Sequence, residues 1–388
     1  MKLGALLSIL LLLGSEGLLA GAETDTNESR KLRVLTFFEP SLHNPTENSP
    51  AGLGVDLALV EAEREVEVIH YRASRNVSEL AIQVSEAIEQ HRPSFIIGGL
   101  TSNSAFVIGD VAESNKIPMI TPLATHPAIT ENRNYSFRVC FDDHYQADQL
   151  ASLIGEDRSL SRGLILFNTT ETFSVGFQRA FEASAQRWGI QELHSKGFSD
   201  EKELTDSVIK GLLESKPQFV VIPSYSVEVA AILSRFFRIG ATDLEFFGPD
   251  SWGTGELIFR SFSDSTEASP KAFFLSHWAR EYQSESNLRF LELLGRPEVQ
   301  ERLSRQSGGL SQAVALAFDS MNAVLAAVEI KESKGLNAKR ALSQVSFEGA
   351  TGQIKLETGS STKEGVQVYQ FSSQGPQFYK SLMRAQPQ

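Results

Sequence analysis

The chain has 388 residues, 41% hydrophobic and 22% charged, the make-up of a globular protein too long for one ordinary core. Its formal charge of -12 excludes partners that need a positive field, nucleic acid and anionic membrane surfaces among them, and no polybasic block offsets it. Cys140 is the single cysteine, so no disulfide forms within the chain and the core must hold the fold together.

In chain order, Met1-Lys2 precede an apolar run from Leu6 to Leu13 and then Ala20-Gly21-Ala22 ahead of an acidic stretch. This is the layout of a cleavable secretory signal, with cleavage expected after Ala22. Its apolar core is only about one third to one half of the roughly 20 residues a spanning helix needs. No later run reads as long and apolar enough to cross a bilayer, so the expectation is an exported protein that does not span the membrane, periplasmic if bacterial. A large periplasmic protein can also dispense with disulfides.

A polar segment, 23–31, leads into alternating β-rich runs and amphipathic stretches. Strands are predicted at 33–38, 66–71, 95–98, 118–121, 163–167, 219–222 and 245–248. Helices are predicted between them at 54–64, 77–91, 105–115, 145–154, 175–188, 201–214 and 227–239. The rhythm runs once from Arg33 to about Cys140 and again from Gly163 to about Gly248, which makes two Rossmann-like α/β units, each a parallel sheet flanked by helices. A helix over 310–331 follows, apolar at Val314, Leu316, Ala317, Phe318, Met321, Val324 and Leu325. The tail, 353–369, reads as short strands too small to form a domain, so they add to a sheet already built and the lobes are not contiguous in sequence.

Open α/β sheets bind ligands beyond the carboxyl ends of their strands, which singles out four loops. Gly99-Leu100-Thr101-Ser102-Asn103-Ser104-Ala105 leads hydroxyls and free N–H groups into a helix whose positive end favours an anion such as a carboxylate. Taken alone, Ser102 or Asn103 reads more simply as a helix cap. The loop from Pro122 to Thr130 offers the Thr125 hydroxyl between two prolines, or is only a rigid turn. Pro223-Ser224-Tyr225 and Pro249-Asp250-Ser251-Trp252-Gly253 set Asp250 at a strand end, where it balances a ligand ammonium beside Tyr225 or serves as another N-cap. Each signal is weak singly, and their recurrence at equivalent places in two units points to a common cleft.

These loops carry a resemblance. Ile97-Gly98-Gly99-Leu100-Thr101-Ser102-Asn103-Ser104-Ala105, Ile117-Pro118-Met119-Ile120-Thr121-Pro122-Leu123-Ala124-Thr125-His126-Pro127 and Phe137-Arg138-Val139-Cys140-Phe141-Asp142-Asp143 are similar to the type I periplasmic binding proteins. Phe173-Ser174-Val175-Gly176-Phe177, Phe247-Gly248-Pro249-Asp250, Ala315-Leu316-Ala317-Phe318-Asp319-Ser320 and the segment from Phe347 to Ile354 extend the match over nearly the whole mature chain. Within that class the chain resembles the leucine/isoleucine/valine-binding proteins of bacterial ABC importers. The resemblance implies two lobes joined by crossing hinge strands: 32–143 with about 276–345, and 144–275 with about 346–388. It also implies an amino acid in the cleft, captured by hinge closure and handed to an ABC permease by a monomer. Ser102, the Leu123 backbone and Thr125 match positions that hold the ligand's carboxylate and amino group, Phe173 an aromatic lining position, and Tyr225 with Asp250 the pair that receives the ammonium. Relatives often carry Glu where Asp250 stands. The loop after the first strand departs from the short Gly-containing pattern; His43 or Asn44 reaches the ligand from it, or the loop is simply solvated.

Enzyme readings find little support. There is no G-x-G-x-x-G, P-loop, G-x-S-x-G or H-E-x-x-H, and Gly52-Leu53-Gly54 lacks the third glycine of a dinucleotide site. The seven histidines do not pair at metal-ligand spacing, Cys140 sits in an apolar run as a buried thiol, and neither cofactor nor metal is expected. The other reading of the same fold is a periplasmic receptor that reports an amino acid or amide to a regulator.

Overall fold

The computed structural model describes residues 32–382, apart from 41–48, 61, 63, 254, 264–270, 305–310 and 364. The expected signal (1–22), the polar segment 23–31 and the loop residues His43 and Asn44 lie outside the described residues.

The first sheet is parallel, built from β1 (Leu32–Phe38), β2 (Val66–Arg72), β3 (Phe95–Gly98), β4 (Met119–Thr121) and β5 (Ser136–Arg138) in the order β2-β1-β3-β4-β5. Between the strands lie α1 (Ala51–Leu59), α2 (Val77–His91) and α3 (Ser102–Asn115). Alternate residues of a strand face opposite layers, so a strand covered on both sides reads as a continuous apolar run. Val34, Phe95, Ile97 and Ile120 accordingly enter one cluster with Leu53 and Val55 of α1. Leu35, Phe37, Ile96 and Met119 enter the other with Val84 of α2 and Ile108 of α3.

The second sheet repeats this plan. Its parallel part comprises β6 (Arg162–Asn168), β7 (Glu192–Phe198), β8 (Phe219–Val221), β9 (Glu245–Gly248) and β10 (Ala272–Ser276), in the order β10-β9-β8-β6-β7. Its helices are α4 (Asp143–Ser152), α5 (Thr172–Ala185), α6 (Asp206–Leu213), α7 (Ser226–Arg238) and α8 (Glu256–Ser263). Ile165, Val221 and Phe247 pack towards α4 and α5, while Leu164, Val220 and Phe246 pack towards α6 and α7.

The chain then forms α9 (Glu285–Leu294), α10 (Pro297–Ser304), α11 (Gln312–Lys334) and α12 (Ala338–Leu342), followed by an antiparallel ribbon of β11 (Ser346–Gly349), β12 (Gly352–Glu357) and β13 (Ser360–Lys363). A closing hairpin, β14 (Val366–Ser372) and β15 (Gly375–Leu382), joins β10 antiparallel and completes the second sheet. The ribbon corrects the expected division of the tail. Ala350, Ile354 and Leu356 are buried with first-lobe residues, because Asp319 of α11 accepts the Ala350 N–H (2.8 Å), the Thr351 N–H (3.0 Å) and the Thr351 hydroxyl (2.6 Å). Only the hairpin from Val366 onward belongs to the second sheet.

Another expectation is corrected at α11. At 23 residues, with a mean hydropathy of 1.6 over its most apolar 18-residue stretch, it is by length and composition a helix that could cross a bilayer. Its apolar faces are instead consumed by the core: Val314, Leu316, Met321 and Val324 are fully buried, and a helix enclosed on most sides is apolar on most sides. Gly54 explains the closeness of α1 to α11, since a Cβ there would lie 2.0 Å from the Val314 carbonyl oxygen. Within Gly52-Leu53-Gly54 it is thus Gly54 that serves helix packing.

Among the described residues three chain crossings join the lobes, at 138–143, at 276–278 and between Lys363 and Val366. They meet side by side: the Phe141 and His277 rings stack at 3.6 Å, and Lys363 Nζ lies 5.7 Å from the Phe141 ring centre while donating to the His277 carbonyl at 2.8 Å.

Candidate functional site

The four loops singled out in the sequence gather where the carboxyl ends of the two sheets face each other. Ser102 is the first residue of α3 and is buried, but Thr101 is the N-cap, its side chain accepting the Ser104 N–H. The anion expected at this helix start is supplied by the chain itself. Glu39, at the end of β1 and only 4% exposed, accepts the N–H groups of Leu100 and Thr101 (2.9 Å each), the Thr101 hydroxyl (2.8 Å) and the Ser104 hydroxyl. A carboxylate here meets unpaired amides and the positive end of α3 together. Glu39 was legible only as a carboxylate at a strand end; its partners stand 61–65 positions away.

Leu123, half-buried, packs against the first-lobe core, and Thr125 is buried on the following loop. Arg138 builds that loop from inside. Its guanidinium, 1% exposed, donates to the carbonyls of Thr125 (2.9 Å), His126 (2.8 Å) and Pro127 (3.0 Å) and to the Thr130 hydroxyl (3.0 Å). The Thr125 carbonyl also accepts the Asp143 N–H at 2.9 Å, tying the loop to the first crossing. Cys140 beside it is buried, its Sγ contacts the Ala124 carbonyl at 3.4 Å, and burial pushes the thiol up to about 12, so it is inert.

On the second lobe Phe173 and Tyr225 stand together, ring centres 6.0 Å apart, at the starts of α5 and α7. Asp250 opens a short helical turn and is 4% exposed. Its carboxylate Oδ2 lies 3.3 Å from His277 Nε2, its N–H donates to Gln146 Oε1 at 3.3 Å, and its carbonyl accepts from Gln312 Nε2 at 2.8 Å. Burial holds the His277 ring well below its ordinary pKa. The ring is neutral, so assigning its proton to Nε2 makes this contact a hydrogen bond rather than an ion pair.

Asp143, missed as a site residue in the sequence, is fully buried at the first crossing. Gln146 Nε2 donates to its Oδ1 at 2.7 Å, so one amide side chain bridges Asp143 and Asp250. Burial raises the carboxyls of Asp143 and Asp250 to about 7, that of Asp143 further because Asp250 stands nearby. Asp143 Oδ2 and Asp250 Oδ1 are buried and, among the described residues, have no hydrogen-bond partner. The carboxylates of Glu171, Glu39, Asp250 and Asp143 all act on the Tyr225 hydroxyl, whose pKa burial, as the larger cause, and these charges raise.

The lobes touch across this region. Asn103 Nδ2 donates to Glu171 Oε2 at 3.3 Å, and a Cβ on Gly176 would come within 2.8 Å of the His126 ring and 3.7 Å of Asp143 Oδ2. Beside that contact opens a pocket of about 270 Å³, lined by His126 of the first lobe and by residues from Thr169 to Arg179 of the second.

Two α/β lobes linked by chain crossings, with polar loops between them, make the fold of the type I periplasmic binding proteins. The family model described as receptor family ligand binding region matches residues 59–374, and the chain belongs to that family. It is 25% identical over 179 residues to the leucine-, isoleucine-, valine-, threonine- and alanine-binding protein of Pseudomonas aeruginosa, a match covering 46% of this chain and 47% of that one. The chain thus spans about half the length of the curated relatives it matches. Among solved structures, the leucine-binding protein LivK of Thermotoga maritima superposes with a TM-score of 0.78 at 21% identity, covering 91% of this chain and 99% of that one. The branched-chain amino acid transporter substrate-binding protein LivJ of Streptococcus pneumoniae, solved with isoleucine, gives 0.74 at 19% identity over 91% and 99%.

Proposed function

We propose that the chain is an exported substrate-binding protein that captures a small amino compound of the amino-acid class by hinge closure and delivers it to an ABC permease, without catalysis. The single observation that carries this reading is the meeting of loops from the two lobes, Asn103 on Glu171 and His126 against Gly176, next to crossings stacked through Phe141 and His277. The named relatives are amino-acid-binding proteins, one of them for leucine, isoleucine, valine, threonine and alanine, and a cleft with carboxylates beside an aromatic pair suits an ammonium with an apolar neighbour. In this reading Ser102, the Leu123 backbone and Thr125 hold the ligand's polar groups from the first lobe. The protein works as a monomer, and closure swings Phe173, Tyr225 and Asp250 onto the ligand.

The test is a thermal-shift screen of the purified chain against amino acids, amides and amines, followed by small-angle scattering. A ligand at 100 times its Kd stabilises the native state by about 2.7 kcal/mol and should raise the melting temperature visibly. The expected result is a shift with at least one amino compound and a smaller radius of gyration in its presence. A flat screen, or binding without compaction, overturns the reading.

A further inference from the structure

We propose that the ligand of this cleft is a cation rather than a zwitterion: an amine or amino-amide without a free carboxylate, its ammonium held between Asp143 and Asp250. The inference rests on the binding-protein reading above and narrows it to a ligand class.

Three independent features support it. At the start of α3 the amides of Leu100 and Thr101 and the hydroxyls of Thr101 and Ser104 already hold the Glu39 carboxylate. A ligand carboxylate approaching that helix therefore meets a like charge beside Ser102. Next, two carboxylate oxygens, Asp143 Oδ2 and Asp250 Oδ1, are buried without a partner among the described residues, although Gln146 and His277 satisfy the other oxygen of each. A buried acceptor left open is destabilising, the more so if charged, and an ammonium, with three donors and a positive charge, is the group that relieves it. Finally, the buried Asp143 Oδ2 lies 3.7 Å from where a Cβ of Gly176 would be, and Gly176 and His126 line the open pocket whose wall also carries Glu171.

The neighbouring cations do not fill this role. Arg138 spends its guanidinium on the carbonyls of the 125–127 loop, and Lys363 donates to the His277 carbonyl at the crossings. Arg179, also in the pocket lining, is exposed. Burial lifts Asp143 and Asp250 to about 7, so a cation that binds between them also drives proton release.

Calorimetric titration of the full chain with L-leucine, L-leucinamide and 1,4-diaminobutane separates the possibilities. The expected result is that leucinamide or diaminobutane binds at least about tenfold tighter than leucine, a difference of about 1.4 kcal/mol. Asp143→Asn, which preserves shape, should weaken that cation at least about tenfold. Leucine binding as tightly as the cations, or full-strength cation binding to the Asn variant, overturns the inference and leaves the binding-protein reading standing. Failure of all three together with a flat amino-compound screen overturns both.

Discussion

Replacing Asp143 by asparagine should change the pH dependence of stability of the ligand-free protein. The carboxyl is fully buried and rises from an ordinary value of 3.8 to about 7, chiefly through burial. Between those values the folded chain holds a proton that the unfolded chain has released, so this group makes stability fall as pH rises from about 4 through about 7. Above that window the penalty of the ionised form is on the order of 4 kcal/mol, at 1.36 kcal/mol per pH unit. Asparagine carries no such charge and keeps an oxygen for Gln146 Nε2. At pH 5 the variant should already be more stable than the parent by roughly 1–1.5 kcal/mol, and at pH 8 by roughly 2.5–4 kcal/mol, less than the full penalty because Asp250 relaxes as well. Urea denaturation at the two pH values measures this directly. A stability difference that is the same at pH 5 and pH 8 would refute the claim that Asp143 is a buried, strained carboxyl.

Ligand affinity should itself tighten by about tenfold or more between pH 5.5 and 8, because the carboxyls that receive a cation must first lose their protons; an affinity independent of pH counts against them. Gly176→Val should weaken binding by about tenfold or more, since the new side chain strikes the His126 ring across the cleft; titration checks it. Arg138→Met should destabilise by roughly 3–5 kcal/mol in urea, because carbonyls from Thr125 to Pro127 lose their buried donor. Gly54→Ala should lose about 1–3 kcal/mol through overpacking of α1 on α11, without altering relative affinities among ligands.

What the sequence determined by itself is the double α/β rhythm. Runs such as Phe95–Gly98 and Glu245–Gly248 are apolar because helices cover both faces of their sheets, and turn residues bound them, so local pattern locates them closely. β7, Glu192–Phe198, went unread because it is an exposed edge strand of mostly polar residues, and β10, a five-residue buried run, carries no periodicity to distinguish it from helix. Ser102, Thr125, Phe173, Tyr225 and Asp250 were named from loop position and resemblance. Glu39, Asp143, Gln146, Arg138 and His277 were decided only by tertiary structure, for the same physical reason in each case. Their roles depend on partners far along the chain: Glu39 on the amides of Leu100 and Thr101, Gln146 on Asp250, His277 on Phe141. A hydrogen bond or a shifted carboxyl is a property of the neighbours that the fold assembles, and no local pattern of residues records which neighbours those are.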